Sequence, residues 1–365
     1  MSTAIIGTGF MARVHAEALA RIGVPVLGVV GSSPERAALA GLAPVYESVA
    51  EALADDRVTT VHVCSPNHSH FEQALAALRA GKHVICEKPL AMSSAQAREL
   101  RDVAADSGLV HAVCFINRHY PLCQEAAARV ASGSVGAVRL VTGGYLQDWL
   151  SKDTDWNWRL DPDLGGSLRV VGDIGSHWLD LVGFVSGRRV EAVMADLTTV
   201  VPERRRPLGS VETFAQSSSD AEPVPVTTED VAGILLRFEG GARGVLSLSQ
   251  VSPGRKNHLS FDVSGSEASL AWGTEDPERL WIGHRDGPNQ IQFRDAGDVP
   301  AGHAQGYQDT FKALFRAAYA AIDSGGAPTT PDYPTFDDGL EQALVADAVE
   351  ASARSGRWTT VRRDA

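Results

Sequence analysis

A glycine turn near the start of the chain constrains the fold more than any other feature. Gly7-x-Gly9-x-x-Ala12 follows a short apolar run and opens a segment with helical spacing over residues 10–22. Gly7 permits a tight turn, Gly9 lets the backbone approach a pyrophosphate, and Ala12 allows close helix packing. The N-terminus of such a helix faces an anion. We therefore predict a dinucleotide site whose contacts here are Gly7, Gly9, Phe10 and Met11.

The first 120 residues alternate short apolar runs with helical patterns. The runs that predict strands are residues 4–6, 26–30, 58–64, 83–86 and 110–115, and helical spacing is found over residues 71–80 and 93–106. This alternation is typical of parallel strands joined by helical crossovers. Residues 1–120 are therefore predicted to form an α/β domain of the Rossmann type, a doubly wound parallel sheet that binds NAD(P).

Beyond residue 120 the pattern becomes rich in β-strands. After a helix at residues 124–131, strands are predicted at residues 137–147, 190–200, 231–238, 242–251, 258–264 and 268–272, with a hairpin turn at Gly240-Gly241. These strands follow one another without intervening helices, and helical patterns return only at residues 307–322 and 338–352. Residues 121–365 are therefore predicted to form an α+β domain with a large, mainly antiparallel open sheet, which binds substrate and mediates oligomerisation. Its C-terminal helix could pack back on the first domain.

Two surface features of the second domain follow from the same pattern. One face of an extended apolar sheet needs a cover, so we expect a homo-oligomer, dimer or tetramer, formed through that sheet. Residues 202–228 are rich in proline, serine and charge and include Arg204, Arg205 and Arg206. This segment is expected to be a long, solvated loop.

Composition excludes several classes of protein. The formal net charge is −12, which disfavours a nucleic-acid partner. No apolar stretch reaches the roughly 20 residues of a membrane span, and the first apolar run leads directly into the glycine turn rather than into a secretory signal. The four cysteines, Cys64, Cys86, Cys114 and Cys123, show no metal-type spacing, which suits a reducing compartment. We expect a cytoplasmic protein.

The residues after the second predicted strand leave the choice of cofactor open. An acidic residue that would bind the ribose 2'-hydroxyl is replaced by Gly31-Ser32-Ser33. Ser32, Ser33 and Arg36 could instead hold the 2'-phosphate of NADP, although Glu35 would oppose it. Both NAD and NADP therefore remain compatible with the residues at this point.

Polar residues also follow the next predicted strand. Ser65, Pro66, Asn67 and His70 lie where ligands of open α/β sheets gather, at the carboxyl ends of strands. His68 and His70 have no third ligand at a useful spacing, so no metal site is predicted. A role at the cofactor edge or as a helix cap fits these residues better.

The strand at residues 83–86 is followed by Glu87-Lys88-Pro89. This places an amine at the same sheet edge as the glycine turn, and the proline bends the chain and aims the lysine side chain. Lys88 is thus a candidate proton shuttle, and Glu87 lies beside it. The alternative is a purely structural lysine–glutamate pair at the end of a strand.

In the second half, Asp173 and His177 are four residues apart. On an α-helix they would project from one face, where an aspartate can fix the tautomer and orientation of a histidine that exchanges a proton. Such a pair on a helix can equally be structural.

Together, Gly7-x-Gly9-x-x-Ala12, Glu87-Lys88-Pro89 and Asp173-x-x-x-His177 resemble the glucose-fructose oxidoreductase/inositol dehydrogenase/MocA (Gfo/Idh/MocA) family. The resemblance spans essentially the whole chain and implies an NAD(P)-dependent oxidoreductase. It implies that Lys88, Asp173 and His177 form the catalytic group. It also implies that Ser65, Pro66, Asn67, Asn117, Trp158 and Arg159 lie on the cofactor side.

Residues 145–149 and 155–159 resemble the sugar-oxidising branch of that family, which includes levoglucosan dehydrogenase and anhydrofructose reductase. Indole rings cover C–H faces of sugars while amide, carboxylate and guanidinium groups bind hydroxyls. The alternative is a half-buried strand with core aromatics. The predicted substrate contacts are Lys88, Gln147, Trp149, Asn157, Arg159, Asp173, His177 and His303. The resemblance to this branch favours NAD, with NADP as the alternative.

The sequence therefore predicts hydride transfer between nicotinamide and a secondary hydroxyl of a sugar-like substrate, with Lys88 and His177 as acid and base. One rival is a reductase of an imine or a conjugated ring, which would need an apolar pocket rather than polar residues at 148–159. A second rival is a non-catalytic dinucleotide sensor, which would not need Lys88 and His177 together.

Overall fold

The fold is that of a computed structural model, which describes residues 1–208, 221–294, 299–300 and 302–363. The chain divides into two compact units. The first comprises Met1–Ile116, Asp163–Gly166 and Tyr307–Ala343, and the second comprises Asn117–Pro162, Ser167–Gly306 and Leu344–Ala365. This division differs from the sequence-based one at residue 120 because Tyr307–Ala343 falls in the first unit.

The first unit contains a five-stranded parallel sheet. Its strands are β1 (Thr3–Ile6), β2 (Val26–Val30), β3 (Thr60–Val63), β4 (His83–Cys86) and β5 (His111–Val113), in the order β2-β1-β3-β4-β5. Every residue of β1 and β3 is buried, as expected for a sheet covered on both faces. The predicted doubly wound parallel sheet is confirmed.

Helices connect these strands. They are α1 (Phe10–Ile22), α2 (Pro34–Ala40), α3 (Val49–Ala54), α4 (His70–Arg79) and α5 (Ser94–Ser107). The remaining helices of the chain are α6 (Pro121–Ala131), α7 (Pro162–Gly165), α8 (Ser176–Ser186), α9 (Tyr307–Asp323) and α10 (Phe336–Ser355). In the first unit, Phe311 and Phe315 of α9 join the apolar core that contains α1 and β1. None of the helices in the described part of the chain has the length and apolar character of a membrane span.

The second unit is built on a large sheet. Its strands are β6 (Leu140–Leu146), β7 (Val190–Thr198), β10 (Val231–Phe238), β11 (Arg243–Ser249), β12 (His258–Ser264), β13 (Ala268–Gly273), β14 (Arg279–His284), β15 (Gln290–Phe293) and β16 (Thr359–Thr360), and β8 (Glu203–Pro207) pairs with β9 (Ala221–Pro225) beside it. Nine described strands follow the order β15-β14-β13-β12-β6-β11-β10-β7-β16. All neighbours are antiparallel except β6 and β11. The predicted large, mainly antiparallel sheet is confirmed.

Two expectations about the second unit are wrong. Helix α8 lies between β6 and β7, so the strands do not follow one another without a helix. The predicted loop at residues 202–228 instead supplies β8 and β9, while residues 209–220 lie outside the described part. The prediction failed because the side chain of Arg204 points inward. It is completely buried, although Arg205 and Arg206 are exposed. A run of three arginines therefore conceals a strand with one inward-facing cation.

Arg204 is buried because Asp230 neutralises it. Asp230, also completely buried, accepts from the guanidinium groups of Arg204, at 2.8 Å, and Arg169. The other oxygen of the carboxylate accepts the backbone N–H groups of Val200 and Val201, both at 2.8 Å. Each oxygen is therefore satisfied, which is the condition under which buried ions are tolerated.

Replacement of Asp230 by Asn should destabilise the second unit strongly. Two buried guanidinium groups would lose their counter-ion, which typically costs about 3–5 kcal/mol. Thermal and urea unfolding would measure the loss. Asp276→Asn is the matched control, because Asp276 forms an exposed ion pair with Arg279 and should have little effect. An Asp230→Asn protein as stable as the wild type would contradict this account of the buried cluster.

Candidate active site

The glycine turn lies between β1 and α1, as predicted. Gly7 has a φ of 130°, and a Cβ atom added there would lie 2.6 Å from the carbonyl oxygen of Cys64. A side chain at this position would clash with the backbone that follows β3, the parallel neighbour of β1, so only glycine fits. A Cβ on Gly9 would meet nothing within 4 Å, and α1 begins at Phe10 without a capping side chain. A helix N-terminus without a capping side chain, together with the open space at Gly9, fits a pyrophosphate group.

At the end of β2, a helix cap uses one of the predicted cofactor residues. Ser33 caps α2 by accepting the backbone N–H of Arg36 at 3.3 Å, and Ser32 and Arg36 are exposed. The Ser33 side chain also lowers the pKa of Glu35. A Cβ on Gly31 would lie 3.0 Å from the Ser33 carbonyl oxygen, so a side chain at this position would be tightly packed.

The polar segment after β3 forms a short 3₁₀ turn over Asn67–Ser69. The Ser65 hydroxyl donates to Gln73 at 2.6 Å, and the buried Asn67 amide donates to the Gly165 carbonyl at 2.9 Å. Pro66 is exposed beside them. The predicted cofactor residues of this turn therefore lie at the carboxyl end of β3, next to the glycine turn.

His70 joins the segments that follow β3 and β4. Its Nδ1 lies 2.7 Å from the Pro89 carbonyl oxygen, and its Nε2 lies 2.8 Å from the Ser65 carbonyl oxygen. Burial lowers the pKa of His70, opposed by these two acceptors and by Glu87. Because carbonyls only accept, both bonds form fully only when the ring carries two N–H groups. Both ring nitrogens lie next to backbone carbonyl oxygens, so His70 holds the two segments together, and its contact with the cofactor stays a prediction.

Lys88 lies at the end of β4, half-buried, and is joined to Pro89 by a cis peptide bond. Its backbone N–H donates to the Glu87 carboxylate at 3.2 Å. The other oxygen of Glu87 lies 3.1 Å from Nε2 of His15, which is completely buried. The Glu87 carboxylate is thus shared between the lysine loop, residues 87–89, and the interior of the first unit.

A chain of buried side chains continues from His15. Its Nδ1 lies 2.9 Å from Nδ1 of His62, and Nε2 of His62 lies 3.1 Å from the hydroxyl of Tyr319. Because a carboxylate only accepts, Glu87 sets the tautomers of a chain with neutral rings: His15 donates from Nε2, His62 from Nδ1, and Tyr319 from its hydroxyl. Sequence analysis missed this chain, since its members are far apart in sequence.

His15, Glu87 and Cys114 form the one group of possible metal ligands found among the described residues, with ligand atoms within 4.8 Å of one another. The sequence predicted no metal site. The bonds of His15 to Glu87 and His62 account for both of its ring nitrogens without an ion. Burial raises the pKa of the Cys114 thiol well above its usual value, which opposes the thiolate form that a metal requires.

In the second unit, Asp173 is held by two donors. Its Oδ1 lies 3.2 Å from Nε of Arg159, and its Oδ2 accepts the Gln250 amide at 2.8 Å. Asp173 belongs to a π-helical turn, Val171–Gly175, and α8 follows directly. Asp173 and His177 therefore do not lie on one continuous α-helix, contrary to the prediction from the sequence, because a π-helical turn precedes α8. Turns of this kind are frequent at functional sites.

His177 lies in the first turn of α8, and its ring centre is 6.3 Å from that of Tyr145. The Tyr145 hydroxyl donates to Asn257 at 2.6 Å. Burial, followed by the charge of Asp173, raises the pKa of Tyr145 well above its usual value. His177, Tyr145 and Asp173 thus share one region of the second unit. Tyr145 belongs to the segment 145–149 that the sequence analysis singled out, but it was not among the predicted site residues.

Two predicted substrate residues, Gln147 and Trp149, form a pair. The Trp149 indole donates to Oε1 of Gln147 at 2.8 Å, and Nε2 of Gln147 lies 3.3 Å from Asn257. Both side chains are partly exposed. They present an indole and an amide side by side.

The remaining predicted residues differ in exposure. Asn157 is buried and caps a short 3₁₀ turn by accepting the backbone N–H of Arg159 at 3.1 Å, and the Arg159 guanidinium lies 4.4 Å from the Trp158 ring centre. Asn117 is buried, whereas its neighbour Arg118 forms an ion pair with the buried Asp180. His303 is exposed, with its ring nitrogen 3.2 Å from the Pro300 carbonyl oxygen.

The structure divides the predicted catalytic group between the units. Lys88 belongs to the first unit together with the glycine turn, and Asp173 and His177 belong to the second together with Arg159. Each half combines partly exposed ionisable groups with buried partners that hold them in place. Acid–base chemistry is what such groups can perform.

Comparisons with known proteins agree with this chemistry. Residues 1–115 match the model of the oxidoreductase family with an NAD-binding Rossmann fold, and residues 123–271 match the GFO/IDH/MocA C-terminal domain. Levoglucosan dehydrogenase from Pseudarthrobacter phenanthrenivorans is 30% identical over 99% of this chain and 98% of its own length. The 1,5-anhydro-D-fructose reductase of Ensifer adhaerens is 28% identical over 93% of this chain and 92% of its own length. A levoglucosan dehydrogenase structure in complex with NADH and L-sorbose has a TM-score of 0.89 and 29% identity, and covers 99% of both chains.

The buried His62 should make the stability of the first unit sensitive to acid. Burial, followed by the charge of His15, lowers its pKa well below the usual 6.5. In the unfolded chain the His62 imidazole therefore binds a proton near pH 6.5, whereas in the folded chain it stays neutral. The free energy of unfolding is highest above this pH and decreases as the pH drops below it. In His62→Gln this loss, up to about 1.4 kcal/mol per pH unit, should disappear.

Urea unfolding between pH 5 and 7.5 would measure that dependence. His284→Gln is the matched control, because His284 is exposed, and should retain the wild-type slope. An equal slope in the His62→Gln protein and the wild type would show that His62 does not contribute to the acid sensitivity.

Proposed function

The chain belongs to the GFO/IDH/MocA family of oxidoreductases, and we propose that it transfers a hydride between nicotinamide and a secondary hydroxyl or ketone of a sugar, anhydrosugar, glycoside or cyclitol. The observation that carries the proposal is the position of Lys88. It follows β4 at the carboxyl edge of the parallel sheet, the edge on which the glycine turn follows β1. An amine there can reach a substrate held against a bound dinucleotide.

The proposed mechanism uses the half-buried ionisable groups of both units. In oxidation, the substrate hydroxyl gives its proton to Nζ of Lys88 while the carbon gives up its hydride and becomes a carbonyl; reduction reverses both transfers. The bound nicotinamide supplies the hydride acceptor or donor. His177 either assists Lys88 or exchanges roles with it, and Asp173 orients Lys88 and His177. Gly7, Gly9 and the N-terminus of α1 would hold the pyrophosphate.

Carbohydrate is the substrate class that the polar residues support. Trp149 offers an indole face, and Gln147, Asn157 and Arg159 offer amide and guanidinium groups, the combination that binds C–H faces and hydroxyls. The two curated relatives act on an anhydrosugar and on anhydrofructose, as their names state. NAD is the proposed cofactor, because the structure of the relative contains NADH, and NADP is the alternative.

A substrate panel tests the proposal directly. Sugars, anhydrosugars and cyclitols would each be incubated with NAD or NADP and followed by nicotinamide absorbance. We expect turnover with at least one anhydrosugar or glycoside and a preference for NAD. Turnover confined to imines or conjugated rings would replace the proposal with a non-sugar reductase. Dinucleotide binding without turnover on any member of the panel would favour a sensor.

Lys88→Ala should lower kcat by about 100-fold or more and leave the dissociation constant for NAD nearly unchanged. The amine accepts a proton in the transition state, whereas the glycine turn binds the cofactor. Lys82→Ala is the matched control because Lys82 lies just before the other end of β4. Its kcat should stay near that of the wild type. Near-normal turnover of Lys88→Ala would remove Lys88 from the mechanism.

We also propose that the open face of the large sheet binds a second copy of the chain, giving a dimer or tetramer. Met194, Leu235 and Val245 are direct neighbours across β7, β10 and β11, and all three are exposed. In β10 buried and exposed residues alternate, so one face packs inside while the other stays open. A row of exposed aliphatic side chains on a sheet is typical of a subunit interface.

Leu235→Arg should reduce the assembly to monomers, because it places a charge in the middle of this row. Light scattering after size-exclusion chromatography would measure the mass. Leu39→Arg is the matched control, since Leu39 is exposed on α2 in the first unit and should leave the mass unchanged. A wild-type chain that is monomeric at micromolar concentration would contradict the interface.

A cytoplasmic location is proposed on the state of the cysteines. Cys64, Cys86, Cys114 and Cys123 are all free and buried. Unpaired thiols are typical of a reducing compartment.

A further inference from the structure

Gln250 connects a buried cation to the candidate catalytic carboxylate. It directly follows β11 and is completely buried. Its Oε1 accepts from the Arg169 guanidinium at 2.7 Å, and its Nε2 donates to Oδ2 of Asp173 at 2.8 Å. No motif drew attention to Gln250 in the sequence, because a single amide at the end of a strand has no distinctive pattern.

The chemistry of the two partners fixes the direction of this amide. A guanidinium only donates and a carboxylate only accepts. A reversed amide would place its NH₂ group against Arg169 and its oxygen against Asp173, and both contacts would be repulsive. The amide N–H must therefore point at Asp173.

Arg169 is itself held firmly. Its side chain is completely buried and donates to Asp230, to the Thr228 hydroxyl at 3.2 Å and to Gln250. Its backbone N–H donates to the buried Glu229 at 3.0 Å. The orientation of the Gln250 amide thus depends on the buried ion pairs of Asp230 with Arg169 and Arg204.

We propose that Gln250 is a positioning residue that keeps the Asp173 carboxylate ionised and fixes its rotamer, with Arg159 engaging the other oxygen. Two donors, one on each oxygen, favour the charged form and leave the side chain one orientation. This inference rests on the proposed function, in which Asp173 belongs to the catalytic group. The titratable and charged groups around Asp173 are Arg159, Tyr145 and His177, with Arg169 behind Gln250. The buried Glu229 accepts the backbone N–H groups of Arg169 and of Val171 in the same turn.

Gln250→Glu provides the first test because it keeps the shape and adds one negative charge. The new carboxylate would stay paired with Arg169, so Asp173 would take up a proton shared between the two acids. The acid limb of the kcat profile should move upward by about one pH unit or more. Gln250→Met removes the donor without adding charge and should lower kcat by about 10-fold, with the KM for NAD changed less than about twofold.

A second readout needs neither substrate nor cofactor. In Gln250→Glu the shared proton raises the folded-state pKa above that of the unfolded acids, so its stability relative to that of the wild type should fall as the pH rises from 5 to 8. Adding Asp173→Asn should abolish this dependence. Gln290→Glu is the control, because Gln290 is exposed on β15 and gains the same charge away from Asp173.

The outcomes separate the two proposals. If Asp173→Asn is inactive while Gln250→Glu and Gln250→Met keep the wild-type pH profile and kcat, the positioning role is overturned and the proposed function stands. If Asp173→Asn turns over normally, the catalytic assignment fails, although the stability measurement still decides whether Gln250 and Asp173 are coupled. A shifted acid limb together with an unfolding temperature whose pH dependence differs from that of the wild type, both changes being absent in Gln290→Glu, is the expected result.

Discussion

The carboxylate of Asp230 determines the arrangement of the polar interior in the second unit. It accepts from two completely buried guanidinium groups, those of Arg169 and Arg204. Removing such charges from water is expensive, so they persist only where a counter-ion and hydrogen bonds offset that cost. That requirement orders the neighbouring side chains. Arg169 faces Gln250, and Gln250 presents its N–H group to Asp173.

A second buried carboxylate has a comparable position in the first unit. Glu87 accepts from the lysine loop on one side and from His15 on the other, and the chain continues through His62 to Tyr319. His70 adds a clamp between the segments that follow β3 and β4. The glycine turn, the polar segment after β3 and the lysine loop are therefore held at one sheet edge by contacts that lie beneath them.

The sequence predicted those parts of the molecule that depend on local pattern. Periodicity indicated the strands and helices of the first unit, and the glycine spacing indicated where α1 begins. The strand at Glu203–Pro207 was missed because its inward side chain is Arg204, and a buried cation is visible only once its counter-ion is known. Gln250, His15 and Tyr319 were missed for the same reason, since contacts across more than 40 residues leave no local signal. The π-helical turn at Asp173 was also not predicted, because hydrophobic periodicity does not distinguish a π-helical turn from an α-helical one.

The buried networks around Glu87 in the first unit and Asp230 in the second orient side chains and do not exchange protons. Burial lowers the pKa of His62 and raises that of Tyr319, so these groups stay neutral over the physiological range. The Glu87 carboxylate in the first unit, and the Arg169 guanidinium with the Asp173 carboxylate in the second, leave each neighbouring ring or amide a single direction. Such fixed dipoles need not reorganise when charge moves nearby, which is the condition under which they assist a reaction most. In the proposed mechanism, proton transfer is then left to Lys88 and His177, which are both half-buried.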